Sequence, residues 1–123
     1  PGKRAGIVTI NAASLTPAHL EGIGVPLDTP VTGTEDGVEF YRTIIKAEKD
    51  DLDLALACAD VVAAANRLVA ENPDVGAIVL ECTNMSPYSA AVQAATGLPV
   101  YDIYSMVTWF HAGLRPRRFM PGA

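Results

Sequence analysis

Gly76-Ala77-Ile78-Val79-Leu80-Glu81-Cys82-Thr83-Asn84-Met85-Ser86-Pro87 is the run on which the fold turns. Its first five residues are small or apolar without alternation, as a strand covered on both faces requires. The run then becomes polar at Glu81 to Asn84. Ser86 followed by Pro87 has the order of an N-cap and a first helical residue, which predicts a helix running to Thr96 with Gly97 as its left-handed stop. A doubly covered strand followed at once by a helix is the βα unit of a parallel sheet.

The same phrase recurs on either side. Gly6-Ile7-Val8-Thr9-Ile10 reads as a first strand and Asn11 to Leu15 as a loop. Thr16 and Pro17 open a short helix that Gly22 and Gly24 stop, with Pro26 preventing its return. Pro30-Val31-Thr32-Gly33 is a weaker strand, and Val38 to Lys49 is compatible with a helix or an irregular connection. Asp50 or Asp51 caps a helix from Leu52 to Glu71, about 30 Å long. Its stripe Leu54, Cys58, Val61, Ala65 and Leu68 has the helical period and faces a core. Asn72 and Pro73 end it. Leu98 to Ile103 reads as a fourth strand and Tyr104 to Leu114 as a final helix. The pattern βαβαβαβα predicts a doubly wound α/β domain with right-handed crossovers and a parallel four-stranded sheet in the order 2-1-3-4. Residues 1–114 form this single domain, and residues 115–123 a basic, Pro-containing tail.

Composition supports a globular chain. Of 123 residues, half are apolar and 19% charged, enough apolar side chain for a real core and too little charge for disorder. The net charge of −5 opposes binding a polyanion, since Arg115, Arg117 and Arg118 form the one basic cluster. Nucleic acid is therefore not an expected partner. No apolar stretch approaches the roughly 18 residues of a membrane span, and two cysteines make no disulfide framework, so a cytoplasmic location is expected. The opening Pro1-Gly2-Lys3-Arg4 carries no initiator Met and suggests a fragment or processed product.

In a parallel sheet of this order, ligands bind beyond the carboxyl ends of the strands, where the strand order reverses between the first and third. The two loops there are Asn11 to Ser14 and Cys82 to Ser86. Their small, uncharged hydrogen-bonding side chains suit a small carboxylate or amide ligand. Cys82 is the candidate reactive group: orphan N–H groups of the following helix would stabilise its thiolate, whereas an adjacent Glu81 would oppose it. Strand alternation points Glu81 away from Cys82. Cys58, mid-helix on the apolar stripe, reads as packing. His19 and His111 have no metal-ligand spacing, so no metal is expected. Trp109, Phe110 and Tyr104 at helical spacing also read as packing. Two chemistries known on such sheets fail on their residues. A low-molecular-weight phosphatase would need Arg where Tyr88 stands, and a phospho-receiver would need acids where Asn11 and Cys82 stand.

The stretch from Gly76 to Tyr88 resembles the carboxy-terminal half of the aspartate/glutamate racemase superfamily, which includes hydantoin racemases, maleate isomerases and arylmalonate decarboxylases. The likeness extends from Gly6 through Thr16 to Thr96-Gly97-Leu98-Pro99-Val100. It implies one flavodoxin-like half of a two-domain enzyme, with substrate clamped between halves and no pyridoxal phosphate, metal or other cofactor. Cys82 would be one of two facing thiols that remove and return a proton α to a carboxylate or carbonyl. Asn11, Ser14, Thr83 and Asn84 would hold the substrate. Asn84 stands where glutamate racemases carry His, which leaves the substrate open. Cys58 cannot be the second thiol, so the amino-terminal half would be missing, and the chain alone is expected to be inactive as a racemase. Two other readings stay open. One is a one-thiol reaction such as decarboxylation of a malonate-like acid. The other is a binding or oligomerisation module without chemistry. The apolar bulk of Met106, Val107, Trp109 and Phe110 suggests that the last helix packs on that missing half or on a second copy in a homo-oligomer.

Overall fold

The computed structural model describes residues 3–121; Pro1 and Gly2, which begin the expected domain, and Gly122 and Ala123, which end its tail, lie outside it. Four parallel strands form one sheet in the order β2-β1-β3-β4. They are β1 (Arg4–Thr9), β2 (Val31–Gly33), β3 (Val75–Leu80) and β4 (Val100–Tyr101). Each lies within the stretch expected of it or one to two residues from its start. Register puts Val8 opposite Leu80 and Ile7 opposite Val31, so β1 and β3 are central.

The helices α1 (Pro17–Gly22), α2 (Phe40–Ile44), α3 (Leu54–Glu71), α4 (Ser89–Thr96) and α5 (Ile103–Ala112) connect and follow the strands. Thr16 and His19 form a capping box at α1, with the Thr16 N–H donating to His19 Nδ1 at 3.0 Å. Gly97 closes α4 at φ 69°, a left-handed conformation that favours glycine.

The core fills one face of the sheet. Val8, Ile78 and Leu80 pack there against Ala57, Val61, Ala64, Ala65 and Leu68 of α3, Phe40 of α2 and Val92 of α4. Phe40 meets Tyr88 edge to face, with ring centroids 6.0 Å apart. The expected α3 stripe needs correction at its start, because Leu54 is exposed while Ala57 and Asp60 are buried. Asp53, not Asp50 or Asp51, caps α3 by accepting from the Ala55 and Leu56 N–H groups. The helix therefore begins two residues later than its apolar pattern suggests.

Asp60 explains the segment that sequence left open. Its carboxylate, on α3, accepts the N–H groups of Val38, Glu39 and Phe40 at 3.1, 2.7 and 2.9 Å. These are orphan donors at the start of α2, so a tertiary contact caps that helix where no local side chain does. Gly37 is required beside it, since a Cβ there would press on the Asp60 carboxylate. After α2 the chain is irregular, and Glu39 ties it down. Glu39 is buried and accepts from Lys49 Nζ at 2.7 Å and from the Asp53 N–H at 2.6 Å.

In this chain Tyr104, Trp109 and Phe110 are 71, 76 and 75% exposed, and α5 buries none of its residues, so these side chains do not pack among the described residues. The helix is anchored at its amino end, where Asp102 caps it by accepting from the Ser105 N–H at 2.6 Å and from the Ser89 hydroxyl.

Candidate active site

The first and third strands end side by side, with the Glu81 N–H donating to the Val8 carbonyl at 2.9 Å. The loops that follow them therefore leave the sheet together at the expected crevice. Asn11 caps a 3₁₀ turn over Ala12–Ser14 by accepting from the Ala13 N–H at 3.1 Å. Its amide donates to the Tyr41 hydroxyl at 3.4 Å, and the Ala12 N–H donates to Glu35 Oε2 at 3.3 Å. Tyr41 and Glu35, which sequence did not single out, thus border this loop. Ser14 lies exposed at its end.

Cys82 stands at the carboxyl end of β3 as expected, but the following structure differs. The residue caps a 3₁₀ helix, Thr83–Tyr88, that contains Pro87, and α4 begins only at Ser89. Ser86 therefore caps nothing, and its hydroxyl is buried with no hydrogen-bond partner among the described residues. Pro87 fits because the tighter turn needs no N–H from it. Thr83 and Asn84 are exposed on the outer side of this turn, and Met85 is fully buried beneath it.

The thiol itself is half-buried and packs against the core. Burial pushes its pKa above the ordinary value, and the charge of Glu81 adds to the rise; a hydrogen bond from the Asn84 N–H opposes both. The expected thiolate activation by a helix N-terminus is corrected accordingly. A single N–H of a short 3₁₀ turn does not outweigh desolvation. Cys58, also a free thiol, packs against the core from α3, as its place on the stripe predicts.

Glu81 points the other way, as strand alternation requires. Its Oε2 accepts the buried Thr9 hydroxyl at 2.8 Å, and its carboxylate borders a cavity of about 730 Å³ between β3, β4 and α5. That cavity is lined by Val79, Tyr101, Asp102, Met106 and Trp109. Sequence reading missed it, although the run of exposed-type aromatics on α5 was its signal. Among the described residues no group of His, Cys, Asp and Glu is placed to hold a metal ion.

Fold and site together define a class: a parallel α/β domain presenting one thiol and neutral donors at the carboxyl edge of its two central strands. Its similarities are to lyases. The chain is 36% identical over 116 residues to a dimethylsulfoniopropionate lyase of Durusdinium sp. clade D, a match that covers 89% of the chain and so includes Cys82. It is 32% identical over 114 residues to dimethylsulfoniopropionate lyase 5 of Emiliania huxleyi (strain CCMP1516), and 36% identical over 106 residues to lyase 6 of the same organism. The chain spans 38% of the Durusdinium protein and 22% and 27% of the two Emiliania proteins. No family model and no solved structure matches it.

These relatives overturn the racemase reading. Their names place them among lyases, so neither the racemase superfamily nor the isomerase class, with its pair of facing thiols, is the assignment the chain supports. The reason lies in the chemistry. A thiol at a strand end beside neutral donors is compatible with several reactions at a small acid, and nothing in that local pattern selects isomerisation over elimination. Of the earlier readings, the one-thiol reaction stands nearer to the findings.

Proposed function

We propose that this domain carries the proton-abstracting group of a lyase that cleaves dimethylsulfoniopropionate. The similarity to proteins of that name across nearly the whole chain is the observation that carries the reading. The substrate has a carboxylate at one end and a dimethylsulfonio group on the β-carbon. Cys82, as thiolate, takes the proton from the α-carbon, and that C–H electron pair becomes the C=C bond. The C–S bond breaks with its pair going to sulfur, which leaves neutral dimethyl sulfide and acrylate. Asn11, Ser14, Thr83 and Asn84 supply neutral donors for the carboxylate, whose negative charge grows as the α-proton leaves.

Such an elimination needs one proton-transfer group rather than two, and the site offers one. No helix among the described residues is long and apolar enough to cross a membrane. A reducing, cytoplasmic setting is proposed with the function, because the mechanism needs a free thiol and both cysteines are free.

The test measures dimethyl sulfide in the headspace over the chain, and over a Durusdinium lyase in which this chain replaces the matching segment. The expected result is release of dimethyl sulfide with equimolar acrylate. Cys82→Ala should lower the rate by about a hundredfold or more, and Cys58→Ala by little. In the chain alone, dimethylsulfoniopropionate should also slow alkylation of Cys82. A folded chimera that releases none, together with an unprotected Cys82, would overturn the reading.

A further inference from the structure

The cavity beside Glu81 has a chemistry unlike that of the Asn11 and Cys82 loops. Those loops offer neutral donors, whereas the cavity offers an indole, a phenol, a thioether and aliphatic side chains, with Glu81 on its wall. Among the described residues lining it there is no Lys, Arg or His. Of its two carboxylates, Asp102 is taken up by the α5 cap and by Ser89. Glu81 has one oxygen held by Thr9, which fixes the group, and the residue is exposed on the cavity wall.

A wall of this kind repels carboxylates and phosphates. It is also poor for a compact ammonium ion, which would lose strong hydration for few acceptors. What it suits is a soft, weakly hydrated cation bearing methyl groups. Methyls make apolar contact with Val79, Met106 and the rings, and the positive charge is drawn to the aromatic faces and to one carboxylate.

We propose that this cavity, with Glu81, Tyr101, Met106 and Trp109, is a binding site for the methylated onium head of the substrate, a sulfonium or quaternary ammonium cation. This deepens the lyase reading and rests on it. Glu81 and Cys82 are consecutive residues aimed to opposite sides of one strand end. The cation is seated beside Glu81, and the two carbons that follow it lead over the end of the strand toward Cys82. The attraction belongs to the ground state and disappears once the thioether leaves uncharged. Glu81 thus sets affinity and cation specificity, and its loss raises KM more than it lowers kcat.

The probe is tetramethylammonium chloride, which has no β-hydrogen to lose, so its binding does not depend on lyase chemistry. Trp109 is the chain's one tryptophan and reports occupancy by fluorescence. The expected result is a saturable change with tetramethylammonium that neither sodium chloride at equal ionic strength nor tert-butanol reproduces. Glu81→Gln keeps an acceptor for Thr9 and so keeps the fold; it should weaken binding about fivefold or more. Trp109→Leu, at an exposed position, should do the same by calorimetry. An equal response to tert-butanol would show an apolar trough only and overturn the proposal, as would unchanged binding in Glu81→Gln or no saturable response. If tetramethylammonium binds and no dimethyl sulfide is formed, the lyase reading has failed and the cation site stands.

Discussion

Cys82 shows how two effects of opposite sign are decided at one residue. Position at a strand end before a turn favours the thiolate, but partial burial and the Glu81 carboxylate both favour the thiol, and together they win. The protonated form therefore persists to higher pH than in a free cysteine. Alkylation of Cys82 by iodoacetamide, followed by peptide mass against pH, should keep rising through pH 9 rather than level off below it. Glu81→Gln should raise the rate at any pH below that plateau, because the opposing charge is gone. A cation bound at Glu81 should act in the same direction and raise that alkylation rate. That Cys82 stands at the carboxyl end of the third strand was legible from its place just beyond five apolar residues. The direction of its shift was not, because desolvation depends on side chains from α3 and the following turn that the local sequence does not contain.

At the scale of elements, α2 is the instructive case. Phe40–Ile44 has no strong periodic signal and no local cap, and its start is held by Asp60 from the middle of another helix. Asp60→Ala would leave three buried or half-buried N–H groups without acceptors. The expected cost is about 2–4 kcal/mol in urea unfolding, with α2 as the first segment to exchange its amide hydrogens. A loss below about 0.5 kcal/mol would show that the carboxylate does not hold α2. By contrast, α1 and the end of α4 follow rules confined to a few neighbouring residues. Thr16-Pro17 opens the one, and Gly97 at positive φ closes the other. Both were readable in advance for that reason. The start of α4 was misread because Ser-Pro fits a 3₁₀ turn as well as an α-helical first turn, and only the packing of Met85 and Tyr88 into the core selects between them.

At the scale of the whole molecule, acid sensitivity is carried by two carboxyls held below their ordinary range, Asp102 at the start of α5 and Glu39. The Lys49 ammonium holds the Glu39 carboxyl below the ordinary glutamate range, with help from the Asp53 N–H. A lowered folded-state pKa means stability that is fully present above the unfolded value and lost as pH falls through the folded one. Acid unfolding followed by circular dichroism should therefore begin below the usual glutamate pKa of about 4.3. Lys49→Met should move its midpoint to higher pH; an unmoved midpoint would remove Glu39 from the account.

Strand order, the parallel sheet and the residues at its carboxyl edge were all present in the order of the chain. Apolar runs, caps and prolines act over a few residues, and right-handed βα connections leave few topologies. Three matters were settled only in three dimensions: how burial biases the thiol, what caps α2, and that α5 stands off the sheet with Trp109 facing a cavity shared with Glu81. Each depends on groups far apart in sequence whose distances, and hence whose desolvation and charge, exist only once the sheet has formed.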